Sequence, residues 1–336
     1  MRKKVLIAAG GSGGHIIPAQ VVASELQEAV DVHFAGHALS TNRYLNKRWT
    51  STDIAAAPLS SPLRFVGTTV KGICQAWSLR NYDYIIGFGS YHTVPILSMA
   101  CFTRTPFVLY EANAVPGRVI RLFSPFAQWT AGFFEEAQKH LRGNFVHVDH
   151  PIRAFFETFP SQKRAREQLG LSPDRKTLLI LGGSQGSAFF NTTLPKALLL
   201  LSEKPSVIHI TGHSADRQAL KTFYQDHDIQ ASVHAYYEDM PCAYAACDAV
   251  ISRSGASAIR EIELSNKAAL YVPYPHATDN HQYKNACLAA VKTGAALVEE
   301  HSATIETLAS QIDALQPPKR HSLPQKSFSS LLLKEL

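Results

Sequence analysis

Two glycine-rich clusters are the stretches of this chain with the clearest capacity for chemistry. The first, "LIAAGGSGGH", ends at His15, and the second, "LLILGGSQGS", ends at Ser187. Each joins a short apolar run to a helix-like segment, and backbone N–H groups at a helix N-terminus favour an anion. The first cluster lacks the spacing of a dinucleotide-binding turn, and no Gly-Lys-Ser/Thr follows it. The clusters therefore predict sites for phosphate or diphosphate, rather than for a nicotinamide cofactor or ATP.

The elements that must position these clusters are alternating strands and helices. Strand-like runs in the first half are "KVLIAA", "VDVHFAG", "YDYIIGFGS" and "TPFVLYEAN". After "DHPIRAFFETFPSQ" the alternation restarts with "KTLLILGGSQGS", "PSVIHITG", "ASVHAYY", "DAVISRSG" and "KAALYVPYP". The pattern predicts the α/β fold class, with two doubly wound Rossmann-like domains facing across a cleft and a linker near residues 150–165. Pro18 is expected in the first turn of the helix that follows the first cluster.

Composition limits the class of protein. The chain has 336 residues, of which 46% are hydrophobic and 18% charged, as suits two globular domains. Its five cysteines are scattered without a zinc-site spacing. No stretch approaches the roughly eighteen consecutive apolar residues of a membrane span. We therefore expect a reduced, cytoplasmic protein without a metal site.

Net charge is concentrated in the first half. Residues 1–153 hold fifteen Lys and Arg against nine Asp and Glu, whereas residues 154–336 hold eighteen of each. Such an excess suits an anionic partner, for example a phosphorylated substrate or an anionic membrane. Without an arginine-rich run or an aromatic-basic stripe, the sequence argues against nucleic acid. Ordinary solubility charge is the alternative explanation.

Five motifs in a fixed order carry a resemblance. They are "GGSGGHIIPA", "EANAVPGRVIRLFSPFA", "HPIR", "GGSQGSAFFN" and "SRSGASAIREIELSNKAALYVPYPHATDNHQYKNA". With these motifs, which span roughly residues 8–299, the chain resembles the MurG family of glycosyltransferases. The resemblance implies the GT-B architecture. It implies an acceptor- and membrane-facing domain at 1–155, a UDP-sugar donor domain at 156–315, and a tail or helix at 316–336 that packs back on the first domain.

The activity implied by the resemblance is an inverting hexosyl transfer in peptidoglycan synthesis. N-acetylglucosamine moves from UDP-N-acetylglucosamine to the 4-hydroxyl of lipid-linked N-acetylmuramyl pentapeptide, converting lipid I to lipid II. The implied partners are these two substrates and an anionic membrane surface, with no cofactor, metal or nucleic acid. The implied location is peripheral, on the cytoplasmic face of the bacterial inner membrane. The side chains expected to touch lipid are Phe65, Lys71, Ile73, Trp77, Leu79 and Arg80.

The resemblance also implies the donor-binding residues. The positions that match UDP-N-acetylglucosamine-binding residues of the family are Ser12, Gly13, Gly14, Asn113, Arg153, Ser184, Tyr237, Ala256, Ser257, Ala258, Ile259, Arg260, Glu261 and Gln282. Glu261 is implied to accept hydrogen bonds from both ribose hydroxyls; its alternative is to complement the helix dipole from the first turn. Ser184 is implied to contact phosphate, with helix capping as the alternative. Tyr237 is implied to read the uracil edge through its backbone, and Gln282 to reach the donor sugar.

His15 is the implied catalytic residue. Inversion requires that the acceptor hydroxyl lose its proton as it attacks, and an imidazole titrates near neutrality. Glu111, at the end of a predicted strand, is the alternative general base, and helix capping or phosphate binding is the structural alternative for His15. The acceptor half departs from the family pattern, since Tyr110 and Ala112 stand where histidine and glutamine are usual, and Ser90 where glycine is usual.

Other functions stay open at this point. A GT-B transferase with a different lipid acceptor, such as diacylglycerol, would keep the donor motifs and change the first domain. A non-catalytic nucleotide-sugar binding protein is the alternative from another class. The presence of His15 and of both glycine clusters argues against that alternative.

Overall fold

The chain forms two compact units. The computed structural model describes residues 2–58, 62–183, 185–213, 215–319 and 326–336, apart from the side chains of residues 62–64 and 157. The first unit comprises Met1–Arg153 with Leu323–Leu336, and the second comprises Ala154–Ser322. Each unit is built on its own parallel sheet.

The first unit has a seven-stranded sheet. Its strands are β1 (Lys4–Ala8), β2 (Asp31–Gly36), β3 (Ser51–Asp53), β4 (Tyr84–Gly87), β5 (Phe107–Glu111), β6 (Thr130–Gly132) and β7 (Phe145–His147). They lie in the order β3-β2-β1-β4-β5-β6-β7, with parallel pairing throughout. The chain order reverses between β1 and β4, the place where doubly wound sheets bind ligands beyond their strand ends.

Helices cover both faces of this sheet. They are α1 (Gly13–Leu26), α2 (Pro62–Ala76), α3 (Val94–Thr103) and α4 (Arg118–Phe123), with 3-10 turns at Trp77–Leu79, Tyr91–Thr93, Ser124–Phe126 and Glu135–His140. Val5 of β1 packs in one buried cluster with Ile16 and Leu26 of α1. The next residue, Leu6, packs in a second cluster with Ile96 of α3. Successive residues of a central strand thus face two separate apolar layers, as in a sheet covered on both sides.

The helix after the first glycine cluster begins earlier than expected. α1 starts at Gly13, so Pro18 lies inside the helix, in its second turn, and the predicted first-turn position is wrong. Gly13 and Gly14 are themselves helical, because the cluster supplies both the turn and the first residues of the helix. Because proline has no backbone N–H, α1 lacks one of its helical hydrogen bonds at Pro18.

The surface expected to touch lipid differs in its residues. Leu79 is the buried residue of the turn at Trp77–Leu79, with 8% exposure, and Phe65 is partly buried against the core. Among the described side chains of α2, α3 and this turn, the large apolar ones that are exposed are Val66, Val70, Trp77 and Phe102. Among the helices that the structure describes, none is long and apolar enough to cross a bilayer.

The second unit has a six-stranded sheet. Its strands are β8 (Thr177–Leu181), β9 (Ser206–Ile210), β10 (Ala231–His234), β11 (Ala249–Ser252), β12 (Ala268–Tyr271) and β13 (Ala296–Leu297). Its helices are α5 (Gln162–Gln168), α6 (Ala188–Thr192), α7 (Leu194–Ala197), α8 (Arg217–Asp226), α9 (Met240–Ala246), α10 (Ala256–Ser265), α11 (His281–Thr293) and α12 (Ile305–Asp313), with 3-10 turns at Ala154–Glu157, Leu198–Leu200 and Thr278–Asn280. The parallel order β10-β9-β8-β11-β12-β13 reverses between β8 and β11. The two sheets confirm the predicted doubly wound α/β class.

The last helix, α13 (Phe328–Glu335), belongs to the first unit. The Phe328 ring is 1% exposed and lies 5.2 Å from the Tyr110 ring and 5.7 Å from the Trp129 ring, centroid to centroid. The Glu335 carboxylate accepts hydrogen bonds from Trp129 Nε1 at 2.7 Å and from the Tyr84 hydroxyl at 2.5 Å. α13 therefore completes the core of the sheet on which the chain begins.

Candidate functional site

The turn after β1 presents the positive end of a helix. Gly11 has a φ of +84°, which glycine adopts without steric cost, and Ser12 is the extended N-cap of α1. The Ser12 side chain makes no capping bond, and the first turn of α1 has no acidic residue. The backbone at Gly13 and Gly14 is therefore placed to receive an anion.

His15 lies on the same helical turn. Its Nδ1 is 3.4 Å from Oγ of Ser12, and the residue is half-buried. The imidazole is thus held at the reversal point of the first sheet, beside the helix N-terminus. A group of this kind at this place is able to take a proton from a bound hydroxyl.

A second histidine, His92, fills the space beneath this turn and was not predicted from the sequence. A side-chain carbon at Gly10 would lie 2.6 Å from Nδ1 of His92, so that only glycine fits there. His92 is 7% exposed, and neither ring nitrogen has a hydrogen-bond partner among the described residues. Burial, and then the charges of His37 and His15, lower the pKa of His92 to about 4. The ring is therefore neutral near pH 7 and supports the glycine turn by packing.

Two residues that depart from the family pattern have defined contacts in the structure. Ser90 adopts a φ of 70° and a ψ of 150°, next to Gly89 at a φ of 75°, a backbone region that glycine favours and that costs serine about 1–3 kcal/mol. Its carbonyl accepts hydrogen bonds from the Thr93 N–H at 3.1 Å and hydroxyl at 2.9 Å. The Tyr110 hydroxyl lies 2.6 Å from His150 Nδ1, in a buried pair. Both residues thus serve the local fold of the first unit.

Glu111 organises the loop that follows β5. Its Oε1 accepts hydrogen bonds from the backbone N–H and the side-chain amide of Asn113, at 2.8 and 3.1 Å, and its Oε2 accepts one from the Gly117 N–H at 2.8 Å. Burial raises the pKa of Glu111, although these hydrogen bonds oppose the shift. Asn113 is thereby fixed at the carboxyl edge of the first sheet. Arg153 is the last residue of the first of the two chain segments that form the first unit.

In the second unit, the N-terminus of α10 points out from the end of β11. The N-cap is the glycine before Ala256; it provides no side-chain cap, and the first turn has no acidic residue. Ser257 and Ala258 are half-buried in that turn, whereas Ile259 and Arg260 are buried. The backbone N–H groups of this turn suit a diphosphate.

Glu261 is the sixth residue of α10 and lies beyond its first turn. The effect of the helix dipole is confined to the first turn. Glu261 is therefore too far along α10 for the alternative role, in which its carboxylate complements the dipole. Oε2 of Glu261 accepts a hydrogen bond from the hydroxyl of Tyr244 at 3.0 Å. Tyr244, on α9, is fully buried. The carboxylate is therefore held by a donor from inside the unit.

Arg253, which was not predicted from the sequence, joins the loops around α10. It is 8% exposed and donates to Ser187 Oγ at 2.7 Å and to the carbonyls of Val272 and Pro273 at 3.1 Å each. It also pairs with Glu300 at 2.5 Å. One buried cation at the end of β11 thus holds the loops that follow β8, β12 and β13. The sequence signal that could have identified it is an arginine directly after the strand-like run "DAVIS".

Gln282 forms hydrogen bonds with two of the segments around the start of α10. Its Oε1 accepts a hydrogen bond from the Tyr274 N–H at 3.0 Å, and its carbonyl accepts one from Ser254 Oγ at 2.8 Å. Tyr237 is half-buried in the segment after β10. Ser184 lies outside the described residues.

The structure brings most of the predicted residues together in two groups, one at the reversal point of each sheet. Ser12, Gly13, Gly14 and His15 form the first, while Asn113 follows β5, two strands away from β1. The second glycine turn, the start of α10 and the loop to Gln282 follow three adjacent strands, β8, β11 and β12. Within the described residues, no three His, Cys, Asp or Glu side chains are grouped to hold a metal ion.

Comparison with known proteins matches both units. The profile of the glycosyltransferase family 28 N-terminal domain matches residues 5–131, and that of the family 28 C-terminal domain matches residues 177–333. A UDP-N-acetylglucosamine–N-acetylmuramyl-(pentapeptide) pyrophosphoryl-undecaprenol N-acetylglucosamine transferase of Protochlamydia amoebophila is 36% identical, over 96% of this chain and 91% of its own. The protein with that name from Hydrogenovibrio crunogenus is 32% identical, over 97% and 93%.

A solved structure shows the same agreement. The crystal structure of Acinetobacter baumannii MurG has a TM-score of 0.74 to this chain and is 28% identical. The match covers 92% of this chain and 89% of that one.

Proposed function

The chain belongs to the family of UDP-N-acetylglucosamine–N-acetylmuramyl-(pentapeptide) pyrophosphoryl-undecaprenol N-acetylglucosamine transferases, glycosyltransferases of the GT-B class, and from this premise we propose that it catalyses their reaction. N-acetylglucosamine passes from UDP-N-acetylglucosamine to the 4-hydroxyl of the lipid-linked muramyl pentapeptide. The observation that carries the proposal is the 36% identity to such a transferase over 96% of the chain. The helix N-termini at the reversal point of each sheet support it, because both substrates carry diphosphates.

The proposed donor site rests on the second unit. The diphosphate lies at the first turn of α10, Ala256–Arg260, with Ser184 as a further phosphate ligand. Glu261 holds the ribose, the backbone at Tyr237 contacts the uracil, and Gln282 contacts the sugar. From the first unit, the further proposed donor ligands are Ser12, Gly13, Gly14, Asn113 and Arg153.

The proposed chemical step is a displacement with inversion. The 4-hydroxyl oxygen of the acceptor bonds to C1 of N-acetylglucosamine while the bond between C1 and the β-phosphate oxygen breaks. UDP leaves with the electron pair, and His15 takes the hydroxyl proton. We favour His15 over Glu111 as the base, since both Glu111 oxygens accept hydrogen bonds from its own loop.

The activity is tested by direct transfer. The protein is incubated in detergent with radiolabelled UDP-N-acetylglucosamine and either undecaprenyl-pyrophosphoryl muramyl pentapeptide, diacylglycerol or no acceptor. We expect a β-linked disaccharide only with the muramyl lipid. Transfer to diacylglycerol alone would point to the alternative acceptor, and UDP binding without transfer to any acceptor would point to a binding protein.

We propose that the first unit binds the cytoplasmic face of the bacterial inner membrane as a peripheral protein. Val66, Val70 and Phe102 are 63%, 56% and 71% exposed; the exposed Lys71 directly follows Val70 on α2, and α2 packs against α3, which carries Phe102. Apolar side chains beside basic ones bind anionic bilayers in a salt-sensitive manner.

Cosedimentation with vesicles tests this proposal. Anionic vesicles should retain the native protein at low salt and release it at high salt, and changing Val66, Val70 and Phe102 together to Ser should abolish retention. Leu200→Ser, at a residue 53% exposed in the second unit, is the control. Equal loss in the control, or equal binding to neutral vesicles, would contradict the proposal.

A further inference from the structure

The neighbourhood of Glu261 contains a polar contact that substrate binding alone does not explain. Tyr244 is fully buried, and its hydroxyl lies 3.0 Å from Oε2 of Glu261, which is half-buried on the adjacent helix. A buried phenol needs a hydrogen-bond partner, and this one donates to a carboxylate near the surface. The bond therefore runs from the interior of the second unit to the proposed donor site.

The helix that carries Tyr244 is firmly placed. α9 begins with Asp239 as N-cap, whose side chain accepts a hydrogen bond from the Cys242 N–H at 3.1 Å, and Pro241 lies in the first turn. The Tyr244 ring lies 5.9 Å from the Phe156 ring, centroid to centroid, and both rings are buried. The direction of the Tyr244 hydroxyl is thus set by packing before any ligand arrives.

A glutamate side chain has three rotatable bonds, and ordering it on binding costs free energy. A donor fixed by the core selects the rotamers of Glu261 that keep this contact. Each carboxylate oxygen can accept more than one hydrogen bond, so the contact with Tyr244 is compatible with ribose binding.

We infer that Tyr244 is a positioning residue for nucleotide recognition: by donating to Glu261, it holds the carboxylate in the orientation that engages the ribose hydroxyls of a UDP-sugar. The inference rests on the proposed function, in which Glu261 contacts the ribose. Tyr244 touches no substrate atom in this arrangement and acts through the carboxylate alone.

The test compares Tyr244→Phe with Tyr224→Phe. Tyr224 is also fully buried in the second unit, and its hydroxyl lies 2.9 Å from His209 Nδ1, so its variant also removes one buried hydrogen bond. Both variants keep the aromatic ring and hence most of the packing. UDP and 2′-deoxy-UDP are titrated into each variant, into the native protein and into Glu261→Ala, and each melting temperature is recorded.

We expect Tyr244→Phe to bind UDP about five- to twentyfold more weakly, because the carboxylate then lacks one hydrogen bond that orients it before the ligand binds. The preference for UDP over 2′-deoxy-UDP should shrink in the same variant. Tyr224→Phe should lower the melting temperature while leaving both the affinity and the preference unchanged. With UDP-N-acetylglucosamine, KM should rise in Tyr244→Phe with little change in kcat.

The outcomes separate the inference from the proposed function. If Glu261→Ala loses the ribose preference and Tyr244→Phe keeps it, the inference is wrong and the donor site stands. A weaker affinity with an intact preference would mean that Tyr244 only stabilises the fold, and would also overturn it. If Glu261→Ala itself binds both nucleotides as the native protein does, the proposed ribose contact fails, and the role of Tyr244 fails with it.

Discussion

At the scale of single residues, His15 is the group on which the proposed proton transfer depends. Replacing His15 with Ala should lower kcat by about 10²–10⁴-fold, as loss of a general base typically does, and should leave UDP affinity within a few-fold of native. His33→Ala is the matched control. His33 lies in the same unit, and its two ring nitrogens form hydrogen bonds with the hydroxyls of Thr50 and Thr52. Steady-state kinetics and UDP titration check the prediction. A collapse of UDP affinity with kcat retained would make His15 a phosphate ligand instead.

Two buried histidines make the stability depend on pH. Burial lowers the pKa of His209 to about 3, and burial with the charges of His37 and His15 lowers that of His92 to about 4. An unfolded histidine with a pKa near 6.5 binds a proton below that pH, while the folded residue stays neutral. The contribution of these two residues to the free energy of unfolding is therefore fully present above pH 6.5. It should fall by up to about 1.4 kcal/mol per pH unit for each histidine as the pH decreases toward 4.

Urea unfolding between pH 5 and 7 measures this slope. His209→Leu should flatten it, because the variant no longer gains a proton on unfolding, whatever its stability at neutral pH. His301→Leu, at an exposed residue, should keep the native slope. An unchanged slope in the His209 variant would show that other groups dominate the pH dependence.

At the scale of elements, the sequence predicted the long strands and missed the short ones. β1, β8 and β9 have five residues each, most of them apolar, and such runs predict buried strands directly. β3, β6, β7 and β13 have only two or three residues, and their place is set by pairing with a neighbouring strand. Pairing partners come from distant parts of the chain, which a local pattern does not contain.

The residues that support the site depend on distant parts of the chain in the same way. Glycine turns are visible in the sequence because they need glycine locally. The contacts of Arg253, Tyr244 and His92 join segments far apart in the chain, and only the folded sheet brings them together. The family resemblance implied which residues bind the UDP-sugar. The residues that support them are visible only in the structure.

The loops joined by Arg253 should respond as one element. Arg253→Met leaves the Glu300 carboxylate without its partner and breaks three further hydrogen bonds. Removing one partner of a buried ion pair typically costs about 3–5 kcal/mol. We expect a loss near the lower end, since the Glu300 side chain is 25% exposed. UDP-N-acetylglucosamine binding should weaken at the same time, because the loop to Gln282 loses its support.

A double-mutant cycle checks this prediction by urea unfolding at pH 7. Arg253→Met combined with Glu300→Gln should be more stable than the sum of the single changes implies, because the unpaired charge is removed. Additive effects would mean that the pair contributes little, and that the loops are held by packing alone.

At the scale of the whole molecule, α13 makes the first unit discontinuous in sequence. Phe328→Ala should destabilise that unit by about 3–5 kcal/mol, the usual cost of truncating a buried phenylalanine. Phe102→Ala is the control, since that phenylalanine is 71% exposed in the same unit. Differential scanning calorimetry should show a transition that moves down in the Phe328 variant, while the stability of the second unit is unchanged. A uniform decrease across both units would contradict a role confined to the first.

The place of α13 also bears on how the protein is made. Ribosomes add residues in order at roughly 5–20 per second, so the whole of Ala154–Ser322 is synthesised between the first sheet and the helix that completes it. For roughly ten to thirty seconds a nascent chain carries the aromatic side chains of Tyr110 and Trp129 without the Phe328 ring that covers them. The second unit is continuous and can fold as soon as it leaves the exit tunnel, whereas the first unit reaches its final packing after its neighbour has been made.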